Sequence, residues 1–483
     1  MHRRTLRLLL GLLWSVAATL PATADARPLP ATVARALQEA RIPQSSVAVV
    51  VQGVRARRPA LSLNPGVPMD PASVMKLVTS FAALERLGPA YRWKTEAYTD
   101  GALSNGVLHG DLVLKGYGDP DLTLERFWMM LRSLRARGVR DVRGDLVLDR
   151  SYFGVSGHDP AGFDDEPLRP YNVGPDALLL NFKSVRFEFL PEPERGAVRV
   201  VAEPHPEDLH VVSTLRLANG ACGDWKQRLG AQFGSGGEDG GPVHVLFTGE
   251  YAAACGDKTS YVALFTHARY LEGVFRELWQ ELGGSWEGTL REATVPPTAR
   301  LIYTHESPPL ADVVRDMNKF SNNVMARQIF LTLGAESAAG PPATPEAAFA
   351  AVRATLAQAG LELPDLVMKN GSGLSRVERI SARSLAEVLL TAYRSPVMSE
   401  LVSSLPVVAV DGTMKRRMHG DPAAGYAHIK TGTLDGVRAI AGYVLGRTGE
   451  RHVVVMLVNA PDAAAAEPAI EALLDWVRVS APH

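Results

Sequence analysis

Three short groups of residues in this chain carry side chains that could work together on a carbonyl. The first is Ser73-Val74-Met75-Lys76, where the i, i+3 spacing sets a hydroxyl and an amine on one helical face. A serine hydroxyl is a weak nucleophile until a base takes its proton, and a desolvated lysine can be that base. The N-terminus of the same helix would offer backbone N–H groups to a developing oxyanion. The second group is Ser321-Asn322-Asn323, a hydroxyl and an amide two residues apart, suited to relaying a proton and holding a substrate amide. Ser and Asn also cap helices and make turns, so a purely structural use stays open there. The third is Lys430-Thr431-Gly432-Thr433, just before a valine-containing run. A lysine and two hydroxyls can hold a carboxylate, and Gly432 lets a peptide approach the backbone closely. The alternative for this group is a solvated entry to a strand. Each group alone is a weak signal.

The three in this order form the S-x-x-K, S-x-N, K-T-G set of penicillin-binding proteins and class A β-lactamases. More of the chain fits the same pattern. Pro71-Ala-Ser-Val-Met-Lys-Leu-Val-Thr79, Gly116-Tyr-Gly-Asp-Pro120, Asn370-Gly-Ser-Gly-Leu-Ser-Arg376, Asp411-Gly-Thr-Met-Lys415 and Lys430-Thr-Gly-Thr-Leu434 run through nearly all of it. On these stretches the sequence resembles the D-alanyl-D-alanine carboxypeptidase/endopeptidase family, the class C low-molecular-mass penicillin-binding proteins of the penicillin-binding protein 4 type. The resemblance implies that Ser73 forms an acyl-enzyme, Lys76 takes its proton, and Ser321 relays a proton to the leaving amine. It implies that Asn323 holds the substrate amide and that Lys430, Thr431 and Thr433 hold the terminal carboxylate. The backbone N–H groups of Ser73 and Thr433 would form the oxyanion hole. Peptidoglycan peptides and β-lactams are the implied partners, with no metal or organic cofactor; oligomeric state is not implied either way. Two departures stand out. The second motif reads Ser-Asn-Asn where the β-lactamase version is Ser-Asp-Asn, and Asn370 replaces an expected aspartate. The same serine chemistry would also suit a β-lactamase or an esterase, and a third reading is a catalytically silent wall-binding protein.

These residues need elements to position them. Asp70-Pro71 opens a helix, with Asp70 as its cap and Val74, Leu77, Val78, Phe81, Ala82 and Leu84 as an apolar stripe. Gly88-Pro89 ends it. Ser46–Val54 reads as a strand, and Val437–Leu445 and His452–Asn459 as a hairpin across a Gly-containing turn. Thr32–Glu39 and Ala463–Val477 read as helices. The chain's two ends thus predict one α/β (α+β) domain, by resemblance a penicillin-binding/β-lactamase-like transpeptidase domain. Ser73 and Ser321 lie about 250 residues apart, more than a typical domain, so the middle must be an insertion. We place the catalytic domain at 27–93 and 298–483. An inserted α/β domain falls at 94–184 and 264–297, and a second, mainly β insertion at 185–263, where short strands alternate with Pro and Gly. The glycine-rich stretch 234–242 reads as a loop tip, since Asp239 breaks a G-x-G-x-x-G pattern.

The N-terminus predicts where the chain works. Arg3, Arg4 and Arg7 precede the apolar run Leu8–Leu20, and small-x-small cleavage sites follow at 22–26. That is the pattern of a signal peptide over residues 1–26, the run being too short for a comfortable membrane span, with an uncleaved N-terminal anchor as the alternative. The expectation is an exported, periplasmic or wall-associated protein without a transmembrane segment after cleavage. Cys222 and Cys255, the two cysteines, suit a disulfide in an oxidising compartment, with two buried thiols as the alternative. They are too few for a structural zinc site, and no His-Glu-x-x-His pattern occurs. A formal net charge of -1 gives no reason to expect nucleic acid.

Overall fold

The computed structural model describes residues 28–155, 157–234 and 241–481. The proposed signal segment and most of the glycine-rich loop lie outside the described residues. The central catalytic layer is a five-stranded antiparallel sheet in the order Ala427–Leu434, Val437–Leu445, Arg451–Asn459, Val47–Gly53, Leu61–Leu63. Its middle strands read Val47-Ala-Val-Val-Val51 and Val453-Val-Val-Met-Leu-Val458, and every one of these residues is buried. Such β-branched runs suit a strand covered on both faces. One face lies under the helices Ala31–Glu39 and Glu467–Ser480. The other lies under Lys76–Leu87, Leu310–Phe320, Asn323–Ala335 and Ala382–Arg394. The expected hairpin forms, with Leu445 opposite Arg451 and Val437 opposite Asn459.

Two elements differ from the sequence expectation. The helix after Asp70 does not open directly. Asp70 Oδ1 accepts the Ala72 N–H at 2.9 Å, and Ala72 turns to φ 46°. Residues Ala72–Met75 then make a 3₁₀ turn, and the α-helix begins only at Lys76. The second difference is the return from the insertion, which we set at 298. Arg300–Glu306 pairs with Lys94–Ser104 and forms an edge of the inserted sheet, so the crossing back falls after Glu306. The two crossings are tied together there: Ser307 N–H donates to the Trp93 carbonyl and Trp93 N–H to Ser307 Oγ, both at 3.0 Å.

Beyond that joint, a seven-stranded sheet with the helices Leu124–Ala136 and His267–Glu281 shares one apolar core with a second seven-stranded sheet over 185–262. In the latter, Cys222 and Cys255 are bonded, with Cα atoms 4.7 Å apart. The stretch 157–183 is mostly irregular and folds back onto the helix Asn323–Ala335, where Gln328 Oε1 accepts the Asp176 N–H at 2.9 Å. No helix among the described residues is long and apolar enough to cross a membrane.

Candidate active site

Ser73 sits on a strained turn that its neighbours hold rigid. A non-glycine residue in the left-handed region, as Ala72 is, costs roughly 1–2 kcal/mol. The Asp70 side chain offsets this by accepting the Ala72 N–H, and Asp70 is itself clamped by Asn459 at the end of the central strand. Asn459 Oδ1 accepts the Asp70 N–H at 2.8 Å and its amide donates to the Asp70 carbonyl at 3.0 Å. Two glycines let other backbone press against the same turn. A Cβ on Gly373, at φ 80°, would lie 1.9 Å from the Ala72 carbonyl oxygen. One on Gly432 would lie 2.6 Å from the Pro71 carbonyl oxygen and 3.2 Å from the Ser73 nitrogen. The strand carrying Lys430 to Thr433 therefore runs directly beside Ser73.

Lys76, one turn on, is fully buried. Its Nζ donates to Ser73 Oγ at 2.9 Å, Asn323 Oδ1 at 2.7 Å and the Ser372 carbonyl at 2.5 Å. Burial holds its pKa well below the usual lysine value, the Lys430 and Arg327 cations push the same way, and Glu378 opposes them. An amine so placed is available in its neutral form to take a proton from Ser73.

Ser321 ends the helix Leu310–Phe320 at φ 56°. The capping role open to this motif falls on Asn322, whose Oδ1 accepts the Val324 and Met325 N–H groups at 2.9 and 3.1 Å. Ser321 and Asn323 are thereby left facing the site. Lys430, also fully buried, donates to Ser321 Oγ and to the Thr431 carbonyl, each at 2.8 Å. Burial lowers its pKa to about 7. Thr431 Oγ1 is 2.9 Å from Thr413 Oγ1, and Thr433 lies exposed two residues along the strand. Direct hydrogen bonds thus join Ser73, Lys76 and Asn323 into one cluster and Lys430, Ser321 and Thr431 into a second. The pressing of Gly432 on the Ser73 turn brings the two side by side.

Residues 29–479 match the D-Ala-D-Ala carboxypeptidase 3 (S13) family. The chain belongs to that family. This S13 peptidase is similar to the D-alanyl-D-alanine carboxypeptidase of Actinomadura sp. strain R39, 30% identical over 416 residues, which are 83% of this chain and 76% of that one. It is similar to the D-alanyl-D-alanine carboxypeptidase DacB of Haemophilus influenzae at 25% identity over 419 residues, 86% of this chain and 85% of the relative. Its fold is similar to the crystal structure of penicillin binding protein 4 from Haemophilus influenzae, with a TM-score of 0.73 at 23% identity over 92% of this chain and 99% of that one. The expected fold class agrees with that likeness.

Several residues that contact Ser73, Lys76, Ser321 or Thr431, or lie near them, carry no mark of their own in the sequence. Ser372 and Thr413 lie in stretches already singled out, but their contacts to Lys76 and Thr431 are tertiary. Lys319 donates to both Asp411 oxygens, at 2.9 and 2.7 Å, and so ties the segment before Ser321 to the Thr413 loop. Asn370, where the resemblance led us to expect an aspartate, holds its loop through both ends of the amide: its Oδ1 accepts the Ser372 N–H and hydroxyl, and its Nδ2 donates to the Leu374 carbonyl, a bond that a carboxylate could not make. Glu378, fully buried, accepts the Lys369 and Asn370 N–H groups at 3.0 Å through one oxygen. Its second oxygen has no hydrogen-bond partner among the described residues, and burial raises its pKa. Nothing in the sequence marks Asn459, Arg327 or Glu378, whose positions near the site come from the fold alone.

Proposed function

We propose that the chain is an exported serine peptidase that cleaves D-alanyl-D-alanine bonds in peptidoglycan stem peptides, as carboxypeptidase and as endopeptidase, through a Ser73 acyl-enzyme. The observation that carries this is the buried Lys76 amine, hydrogen-bonded at once to the Ser73 hydroxyl and the Asn323 amide. Ser73 Oγ attacks the carbonyl of the penultimate residue while its proton passes to neutral Lys76. The oxyanion meets the backbone N–H groups of Ser73 and Thr433, a role supported by the closeness of Gly432 to the Ser73 nitrogen. The C–N bond breaks as the leaving amine takes a proton from Ser321, whose hydroxyl Lys430 supports, and the proton that Lys76 took from Ser73 passes to Ser321, leaving Lys76 neutral again. Water then attacks the acyl carbon and gives a proton to neutral Lys76, the ester C–O bond breaks, and Ser73 Oγ takes that proton back as the shortened peptide leaves. Asn323 orients the substrate amide. Because the Lys430 ammonium lies on Ser321 Oγ, its part in holding the terminal carboxylate is electrostatic, and Thr431, Thr433 and Thr413 supply the hydroxyl contacts.

The test is covalent labelling by a fluorescent penicillin, together with mass spectrometry of products from a defined crosslinked muropeptide. Ser73→Ala should lose labelling and hydrolysis while unfolding near the parent's temperature. Labelling of that variant at full strength would remove Ser73 from the mechanism, and rapid release of the label by the parent would make the protein a β-lactamase.

A further inference from the structure

The inserted β-rich region ends in a pocket that the chemistry at Ser73 does not use. A cavity of about 320 Å³ opens between the strands Val185–Glu192, Leu229–Gly234, Val243–Ala252 and Lys258–Val262, a volume at the lower end of small-ligand sites. Aromatic rings make its walls: Phe247 is buried, Trp225 and Phe233 are half-buried, and Tyr261 is exposed. Trp225 stands edge-on to Phe189 with centroids 5.2 Å apart, and Phe233 edge-on to Phe247 at 6.1 Å. The Cys222–Cys255 bond fastens the turn bearing Trp225 to the end of the strand Val243–Ala252. Polar groups stand at the mouth. Glu166 and Arg169 pair at 3.2 Å, and Lys226 Nζ lies 5.5 Å from the Trp225 ring centre.

One segment joins this pocket to the catalytic centre. Glu166 to Arg169 line the pocket, and two residues on, the Tyr171 carbonyl lies 3.4 Å from Asn323 Nδ2. Following the hydrogen bonds from Tyr171 through Asn323 and Lys76 to Ser73, and two residues of chain back to Arg169, puts the rim within roughly 20 Å of the nucleophile. A stem peptide acylated through its fourth residue spans about 13–14 Å when extended, and its other end carries an N-acetylated amino-sugar. A stem running along this segment would bring the sugar to within about 6 Å of the rim.

We infer that this pocket binds an N-acetylated amino-sugar of the glycan strand that bears the stem, an inference that rests on the proposed peptidoglycan substrate. A pyranose presents a C–H face that packs on aromatic walls and a rim of hydroxyl and acetamido groups. Arg169 and Lys226 can donate to that rim, Glu166 can accept, and Ser260 and Tyr261 can do both. An acyl chain would fill the same walls and leave those mouth groups unmatched.

The experiment compares kcat/KM of the full protein on a free pentapeptide stem and on the same stem attached to its acetylated disaccharide. The parent should prefer the sugar-bearing substrate by about tenfold, the effect of a single modest interaction. Tyr261→Ala and Trp225→Ala should each reduce the preference through KM and leave turnover of the free stem unchanged. Tyr261 is exposed, so its variant keeps the test intact if loss of Trp225 disturbs folding. A parent that treats both substrates alike, or a preference that survives both variants, overturns the inference. If the parent cleaves neither substrate, the catalytic reading fails instead. Calorimetry with N-acetylglucosamine oligomers then decides the pocket separately: binding lost in Tyr261→Ala supports it, and no binding to the parent overturns it.

Discussion

Replacing Lys430 by methionine would separate the energetic burden of this site from its chemistry. The folded protein holds Lys430 fully buried with a pKa of about 7, because burial penalises the ammonium. In the unfolded chain a lysine titrates near 10.4. Between these values the unfolded chain carries a proton that the folded one lacks, so stability rises with pH across the window. Going down in pH, stability is lost from about 10 to about 7 and is then constant with respect to this group. At about 1.4 kcal/mol per unit, the whole window amounts to roughly 4–5 kcal/mol. Methionine has no charge to bury, but it forfeits the hydrogen bonds to Ser321 Oγ and the Thr431 carbonyl. Two such bonds contribute about 1–3 kcal/mol. Lys430→Met should thus be more stable than its parent by on the order of 2 kcal/mol at pH 7, while acylating far more slowly. The advantage should shrink by about 1.4 kcal/mol per pH unit on going from 7 to 9. Urea unfolding of both proteins at pH 7, 8 and 9 measures it, since titrations of groups remote from Lys430 cancel in the difference, while Lys76, relieved of the Lys430 cation, shifts upward in the variant and steepens the same trend. An advantage that stays constant with pH, or that grows, would refute the reasoning.

Three further outcomes follow from the same geometry. Gly373→Ala would set a Cβ 1.9 Å from the Ala72 carbonyl oxygen at a backbone φ of 80°, so the Ser73 turn must shift. Penicillin acylation rates should fall about a hundredfold, the usual effect of an ångström of misplacement, and an unchanged rate would show that the turn is compliant. Glu378 raises the Lys76 pKa, so Glu378→Gln should lower it further and move the acid limb of the acylation pH profile to lower pH, while the plateau at higher pH stays put. A limb that does not move would show that Glu378 does not act on Lys76. Cys222 and Cys255 should resist alkylation in denatured protein until a reductant is added, as read by mass spectrometry.

What could be read from the sequence was what local spacing controls. Ser73 and Lys76 share a turn because three residues separate them, and valine runs become strands because they pack well when covered on both faces. The opening of the serine helix was misjudged because an Asx contact to Ala72 competes with helical geometry, and both outcomes suit the string Asp-Pro-Ala-Ser. The domain boundary at 298 was misplaced for a different reason. Arg300–Glu306 carries no clear alternation, and only its pairing with Lys94–Ser104 makes it a strand of the inserted sheet. Residue type alone could not say which of Asn322 and Asn323 caps the next helix, since either amide can, and only the resemblance set Asn323 apart for the substrate. Asn459 and Glu378 were invisible, because an asparagine ending one strand and a glutamate in a loop carry no periodic signal.

The pairing of Val47–Gly53 with Arg451–Asn459 sets an order of events on the chain itself. These two strands lie side by side at the centre of the catalytic sheet, yet about 400 residues separate them, so loop closure makes this contact late and slow. During synthesis the inserted sheets can complete their own pairings while the catalytic sheet still lacks three of its five strands, all of which come from residues after 426. Asn459, which clamps Asp70 and through it the Ser73 turn, follows all strands of the inserted sheets along the chain. A chain still growing toward Asn459 therefore has Ser73 but not the clamp that shapes its turn, and the proposed hydrolysis must wait until the strand Arg451–Asn459 is in place.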